Sequence, residues 1–235
     1  MVPLKLGMVG GGHGAFIGAV HRMASRMDGC FQLTAGAFSS DSIRAHASAA
    51  ELGISADRSY ADFNEMAKVE GMHSNGIDAV SIVTPNHLHG PIAEAFLAQG
   101  ISVICDKPMT ATLAQAESLR DAVQASKGHF FLTHNYTGYP MVRQARQMVT
   151  EGVLGEIRIV NANYLQDWLS KPPEQDNKQA KWRMNPTQSG GGAIGEFGTH
   201  AHNLACFVIG SHVTCLTAML SSHVSGRLVD DDARI

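Results

Sequence analysis

Five short apolar runs alternate with segments of helical period through the first part of the chain, and this alternation restricts the fold more than any other feature. Pro3 to Val9 is closed by glycines, and from Ala15 to Met27 a helical stripe of Phe16, Val20, Met23 and Met27 follows. Phe31 to Phe38 supplies a second strand, Ser42 to Leu52 and Ala61 to Val69 two helices, and Ile77 to Thr84 a strand apolar enough to be covered on both faces. Asn86 is placed to cap the next helix, which runs through Ile92 and Phe96 until Gly100 stops it. Ile101 to Cys105 reads as a buried strand, Thr112 to Ser126 as a helix and His129 to Thr133 as a fifth strand. Such an order needs right-handed crossovers, so a parallel, doubly wound α/β sheet is expected.

After Tyr139-Pro140 the pattern changes. A helix over Met141 to Glu151 leads to Gly155, and Ile157 to Tyr164 alternates as a strand with one buried face. Ser170 to Ser189 is polar, holds Pro172, Pro173 and Pro186, and reads as a long loop over a site. Gly191 to Gly210 reads as a glycine-interrupted helix, Val213 to Val224 as a strand, and Ala233-Arg234-Ile235 as the start of another. The expected domains are residues 1–136, with the doubly wound sheet, and 137–235, a second α/β domain with an open sheet. That second sheet reads as incomplete, as a fragment or as one finished by a partner chain, because an isolated pair of strands is marginal in water.

With 44% hydrophobic and 17% charged residues in 235, the chain can bury a core and is too apolar for a disordered segment. Its formal charge of −3 offers no basic field for nucleic acid or an anionic membrane. The apolar runs fall far short of the ~20 residues of a membrane span, and a strand rather than a signal peptide follows the N-terminus. A soluble, cytoplasmic protein is expected. Cys30, Cys105, Cys206 and Cys215 are widely spaced among apolar neighbours and read as buried free thiols. His87 with His89, and His200 with His202, are i, i+2 pairs that diverge on a helix, so no metal site is expected.

Gly10-Gly11-Gly12-His13-Gly14-Ala15 stands between the first strand and the first helix, with Gly18 inside that helix. This is a G-x-G-x-x-A pattern in the context that gives it meaning. Gly10 permits the turn, Gly12 lets backbone N–H groups approach a pyrophosphate, and Ala15 or Gly18 lets helix pack on strand while the helix N-terminus faces the anion. The sheet is therefore read as a dinucleotide-binding domain. At the end of the second strand Ser39, Ser40 and Arg44 would leave room and charge for the 2′-phosphate of NADP, so the reading leans to NADP over NAD. Asp41 can equally be the cap of the following helix, and Arg44 a surface charge.

Further motifs follow in order: Thr84-Pro85-Asn86-His87-Leu88-His89, Cys105-Asp106-Lys107-Pro108, His134-Asn135-Tyr136, Trp182-Arg183, and the run from Gly190 through Glu196 to His200. Together they resemble the Gfo/Idh/MocA family of NAD(P)-dependent oxidoreductases over nearly the whole chain. The resemblance implies a Rossmann domain followed by an open-sheet α/β domain that holds a sugar, inositol or related polyol, and association into a homo-oligomer. It implies a catalytic group of Lys107, His200 and Glu196, and a plausible cis Lys107–Pro108 bond. Thr84, Pro85, Asn86, His89, Asp106 and Asn135, with His13, join the cofactor set, and Lys107, Tyr136, Trp182, Arg183, Glu196 and His200 face the substrate. Asp106 stands where the family usually has glutamate, Glu196 where aspartate is more usual, Thr137 where an arginine is frequent and Asn203 where an aspartate is common.

The residue chemistry agrees with that placement. Glu196 and His200 at i, i+4 share a helix face, so the carboxylate can orient the imidazole. Oxidation of a secondary alcohol needs a base, and imidazoles ordinarily titrate near ~6.5, so His200 is the expected general base. Lys107, at the C-terminal end of a parallel strand, can donate to the reacting oxygen. Alternatives are a glycosidase or lyase that uses NAD redox transiently, and a dinucleotide-binding protein without catalysis.

Overall fold

The computed structural model describes residues 2–167, 169–173 and 177–235, which fall into two compact units, Met1–Thr133 and His134–Ile235. In the first, β1 (Leu4–Gly10), α1 (Phe16–Met27), β2 (Phe31–Ala37), α2 (Ser42–Glu51), α3 (Phe63–Met72), β3 (Ala79–Val83), α4 (His89–Leu97), β4 (Ser102–Cys105), α5 (Leu113–Ala125) and β5 (Phe130–Leu132) follow one another. The five strands are parallel in the order β2-β1-β3-β4-β5. The order reverses direction between β1 and β3, the switch point at which open α/β sheets bind ligands beyond their strand C-termini.

Period-2 alternation distributes the strand side chains over two cores. Val9, Val80, Ile82 and Val103 pack with Met66, Ile92, Phe96, Leu97 and Leu119 on one face, and Met8 and Val83 pack with Phe38, Ala49 and Ile54 on the other. β3 is buried along its whole length, as its unbroken apolar run requires. Helix ends follow local rules: Asp41 accepts from the Arg44 N–H to start α2, Asp62 accepts from the Asn64 and Glu65 N–H groups to start α3, and Thr112 accepts from the Gln115 N–H to start α5. On α1 the stripe of Phe16, Val20, Met23 and Met27 is exposed, and Gly18 is the residue of that helix that is buried.

The second unit departs further from expectation. It contains a 3₁₀ turn over Asn135–Gly138, then α6 (Pro140–Thr150), α7 (Lys178–Arg183), α8 (Pro186–Ser189), a π turn over Ile194–Gly198, α9 (Thr199–Ile209), and an antiparallel pair of β6 (Met219–Ser221) and β7 (Asp232–Arg234). Residues 157–164 form no strand: their alternation requires a neighbouring ladder, none is present among the described residues, and Ile159 and Val160 lie exposed. The expected strand over Val213–Val224 contracts to the three residues of β6. The expected loop over Ser170–Ser189 contains α7, capped by the Asn177 side chain at the Ala180 N–H, and α8, capped by Asn185 and opened by Pro186; its residues 174–176 lie outside the described residues. Of the four free cysteines, Cys105 is buried but Cys30 and Cys215 are exposed, which corrects the expectation of uniform burial. No helix among the described residues is long and apolar enough to cross a membrane.

Candidate active site

In the first unit the site is built on the glycine turn after β1. Gly10 and Gly11 have φ of 82° and 71°, the left-handed region where a side chain is strained. A Cβ at Gly12 would stand 2.8 Å from the Phe38 carbonyl oxygen, and one at Gly18 would stand 2.4 Å from the Gly11 Cα, so turn and helix touch backbone to backbone. α1 starts at Ala15 with no side-chain cap and no acid in its first turn, leaving its first N–H groups and the positive end of its dipole for an anion. The His13 N–H is tied to the Ser48 Oγ at 3.1 Å, and Arg22 Nη1 donates to the Gly11 carbonyl at 2.7 Å. Burial, with the neighbouring Arg26 charge, lowers the pKa of Arg22.

Two strand ends complete this edge. After β3, the Thr84 hydroxyl is buried without a hydrogen-bond partner among the described residues, and its methyl lies beside the position a Gly10 Cβ would take. The turn thus presents a cradle that side chains would fill, open helix amides and an unsatisfied hydroxyl, which together fit the diphosphate of a dinucleotide. Asn86 opens a 3₁₀ turn before α4, and His89, the first residue of α4, is 1% exposed with Nδ1 at 2.7 Å from the Pro108 carbonyl and Nε2 at 2.9 Å from the Thr84 carbonyl. Both ring nitrogens therefore face backbone rather than the cleft expected from the sequence. Burial pushes the His89 pKa down against the opposing pull of those carbonyls and of Asp106.

After β4 come Asp106, Lys107 and Pro108, with the Lys107–Pro108 bond cis. Asp106 accepts from Thr133 Oγ1 at 3.0 Å and lies 3.9 Å from His21 Nε2. Burial opposes its ionisation, but His21, the Thr133 hydroxyl and the Lys107 charge outweigh burial and hold the carboxyl below the usual range. At the end of β2, Asp41 is engaged as the cap of α2, and the Arg44 side chain is exposed with Nε 3.8 Å from the Asp41 carboxylate.

The second unit gathers the remaining expected residues. His200, in the first turn of α9, is buried, lies tilted against Tyr136 at 4.8 Å, stacks with Tyr164 at 5.8 Å and meets His134 edge-on at 5.9 Å. Tyr164 also stacks on Phe197 at 5.2 Å, and its hydroxyl is 2.6 Å from that of Tyr136. That hydrogen bond first, then burial and the Tyr164 charge, push Tyr136 up to about 12. Glu196, in the π turn that opens α9, accepts from Arg183 Nε at 3.1 Å, and the Arg183 guanidinium lies 4.1 Å over the Trp182 ring. Asn135 is engaged with the Tyr139 hydroxyl at 3.2 Å. Sequence reasoning missed Tyr164 and Phe197 here, and His21, Arg22 and Thr133 in the first unit. Tyr164 lay inside the presumed strand, and the two α1 residues sit opposite its apolar stripe.

Both parts of the chain match known protein-family models. Residues 4–136 match the family model described as an oxidoreductase family with NAD-binding Rossmann fold, and residues 142–235 match the GFO/IDH/MocA C-terminal domain. The chain belongs to the Gfo/Idh/MocA oxidoreductase family. Within it, an inositol dehydrogenase homologue from Azotobacter vinelandii, solved with NAD⁺, is 36% identical with a TM-score of 0.94 over 98% of this chain and 60% of that one. An oxidoreductase from Sinorhizobium meliloti is 49% identical with a TM-score of 0.86 over 99% of this chain and 59% of that one. A levoglucosan dehydrogenase from Pseudarthrobacter phenanthrenivorans is 31% identical over 97% of this chain and 56% of its own length. The chain spans about half the length of the curated relatives it matches.

Proposed function

We propose that the protein is an NAD(P)-dependent oxidoreductase that interconverts a secondary alcohol of a sugar, inositol or related polyol with its ketone. The observation that carries this reading is the carboxyl edge of the parallel sheet, where the open glycine turn, the unsatisfied Thr84 hydroxyl and the Asp106-Lys107-Pro108 segment follow adjacent strands β1, β3 and β4. The N–H groups of the turn and of α1 would hold the diphosphate, with Thr84, Pro85, Asn86 and Asn135 supporting the rest of the cofactor. A nicotinamide held there would supply the acceptor or donor of the hydride at the alcohol carbon.

This chain's residues supply the other half of the chemistry. Lys107 donates from its ammonium to the reacting oxygen and stabilises negative charge there. His200 takes or returns the hydroxyl proton at its imidazole, and its stacking on Tyr164 with Tyr136 tilted against it fixes the plane of the ring. Glu196, oriented by Arg183, accepts from substrate hydroxyls, and Trp182 and Tyr136 offer ring faces to the sugar. Ser39, Ser40 and the exposed Arg44 support acceptance of NADP as well as NAD, since the Asp41 carboxylate is engaged as a helix cap. Exposed apolar side chains of the second unit, among them Ile159, Leu165, Leu216 and Leu220, support self-association.

The test is a comparative titration with NAD(H) and NADP(H), followed by a polyol panel with the tighter dinucleotide. Accumulation of reduced nicotinamide with a cyclic polyol is the expected result. Binding without turnover across the panel would refute the enzymatic reading.

A further inference from the structure

We propose that Lys107 is set in place by two histidines that flank its chain neighbours, the half-buried His21 through Asp106 and the buried His89 through Pro108. The inference rests on the reading of Lys107 as the donor to the reacting oxygen. A lysine is a flexible four-carbon stem carrying about 2 kcal/mol of rotamer entropy, whereas a productive donor must be held to within about 0.5 Å. The backbone on either side of the residue sets where that stem starts and how it is aimed.

Upstream, the Asp106 carboxylate is anchored from two elements: Thr133, just past β5, donates to it at 3.0 Å, and His21 of α1 stands 3.9 Å away. His21 is itself fixed, because its Nδ1 lies 2.8 Å from Ser81 Oγ in the fully buried β3. A continuous path of polar groups therefore runs from β3 through α1 to the residue before Lys107. Downstream, His89 joins the carbonyl of Pro108 to that of Thr84, so one ring ties the ends of β3 and β4 together. Carbonyl oxygens only accept, and burial favours the neutral imidazole with its single N–H, so His89 donates to one of the two carbonyls while its other nitrogen rests against the second, and no aliphatic side chain can supply that donor. Neither ring is left to meet a substrate: His89 spends both nitrogens on backbone, and His21 faces Ser81 and Asp106. Both are positioning residues, and the turn that carries Lys107 is clamped from each side.

The proposal is tested with His21→Gln and His89→Gln in the full chain, alone and combined with Lys107→Ala. Each single variant is expected to lower kcat about ten- to a hundredfold, the cost of an ångström-scale misplacement, with dinucleotide affinity retained. In the Lys107→Ala background the same substitutions are expected to change kcat no further, because the group they place is gone. Losses that multiply in that background would overturn the proposal. A second readout needs no turnover: the ¹³C NMR signal of reductively methylated Lys107, assigned by its loss in Lys107→Arg, should shift or broaden in both histidine variants. A signal unmoved in both overturns the positioning role even if the enzyme is active, whereas a wild-type chain without turnover refutes only the functional reading. Should His89→Gln fail to fold, His21→Gln and Thr133→Val probe the other side of the clamp through the same signal.

Discussion

Gly18→Ala separates two physical arguments that predict opposite signs. Helix propensity alone favours alanine inside α1 by about 1 kcal/mol. The added Cβ, however, would stand 2.4 Å from the Gly11 Cα and 2.8 Å from the Gly11 carbonyl oxygen, about 1 Å inside the ~3.5 Å at which carbon atoms rest comfortably. Both obstacles are backbone, so no rotamer relieves them; α1 or the turn has to move, and the Arg22 bond to the Gly11 carbonyl stretches with it. Overpacking of this kind costs about 1–3 kcal/mol, which exceeds the propensity gain and leaves a net loss of up to about 2 kcal/mol. In a chain of this size each kcal/mol moves Tm by about 2–4 °C. Calorimetry should therefore show a lower Tm, and isothermal titration a dinucleotide affinity at least about tenfold weaker, since one displaced charge-assisted hydrogen bond is worth about 1.5–3 kcal/mol. A raised Tm with unchanged affinity would refute the close-approach account of the turn.

Other consequences follow from the same structure. Glu70 is buried and bonded to Arg58 and to the Tyr60 hydroxyl, so Glu70→Ala strands a buried guanidinium and should cost about 3–5 kcal/mol by urea denaturation; a loss under 1 kcal/mol would show that Arg58 finds water instead. Because the folded-state pKa of Asp106 is depressed, its contribution to stability is present above the ordinary value of 3.8 and disappears as pH falls through the lower folded value. The stability gap between wild type and Asp106→Asn should therefore be level above about pH 5 and narrow in acid, and a gap that widens in acid would contradict the assigned environment. Tyr164→Phe removes the hydroxyl that pushes Tyr136 up to about 12, so the ultraviolet titration of Tyr136 should begin at lower pH; an unchanged onset would locate the cause elsewhere.

What the sequence disclosed depended on how local the determining physics is. The strand, turn and helix around Gly10 to Ala15 were legible because strand period, turn glycines and helix period are all written within a few residues of one another. The cap was one of two readings the sequence left open for Asp41, and Asp41 caps α2. The buried face of α1 was not legible: periodicity marked Phe16, Val20, Met23 and Met27, which are exposed, while His21 and Arg22 found partners on β3, at the end of β4 and at Gly11 that only the fold brings near. Residues 157–164 carry the alternation of a strand, but a ladder needs a neighbour, and alternation cannot state whether one is there. The roles proposed for Lys107, Glu196 and His200 rest on several motifs in order, since a lone lysine or a Glu–His pair is common on any surface. Tyr164 had no such motif, and its stacking on His200 and Phe197 emerged only from three dimensions.

The most direct measurement of the central claim is single-turnover deuterium transfer from a polyol labelled at its carbinol carbon, followed by mass spectrometry of the nicotinamide product. Wild type should deliver the label to the dinucleotide, and Lys107→Ala should bind dinucleotide with little change yet transfer almost none. Equal transfer by the two proteins would contradict the account.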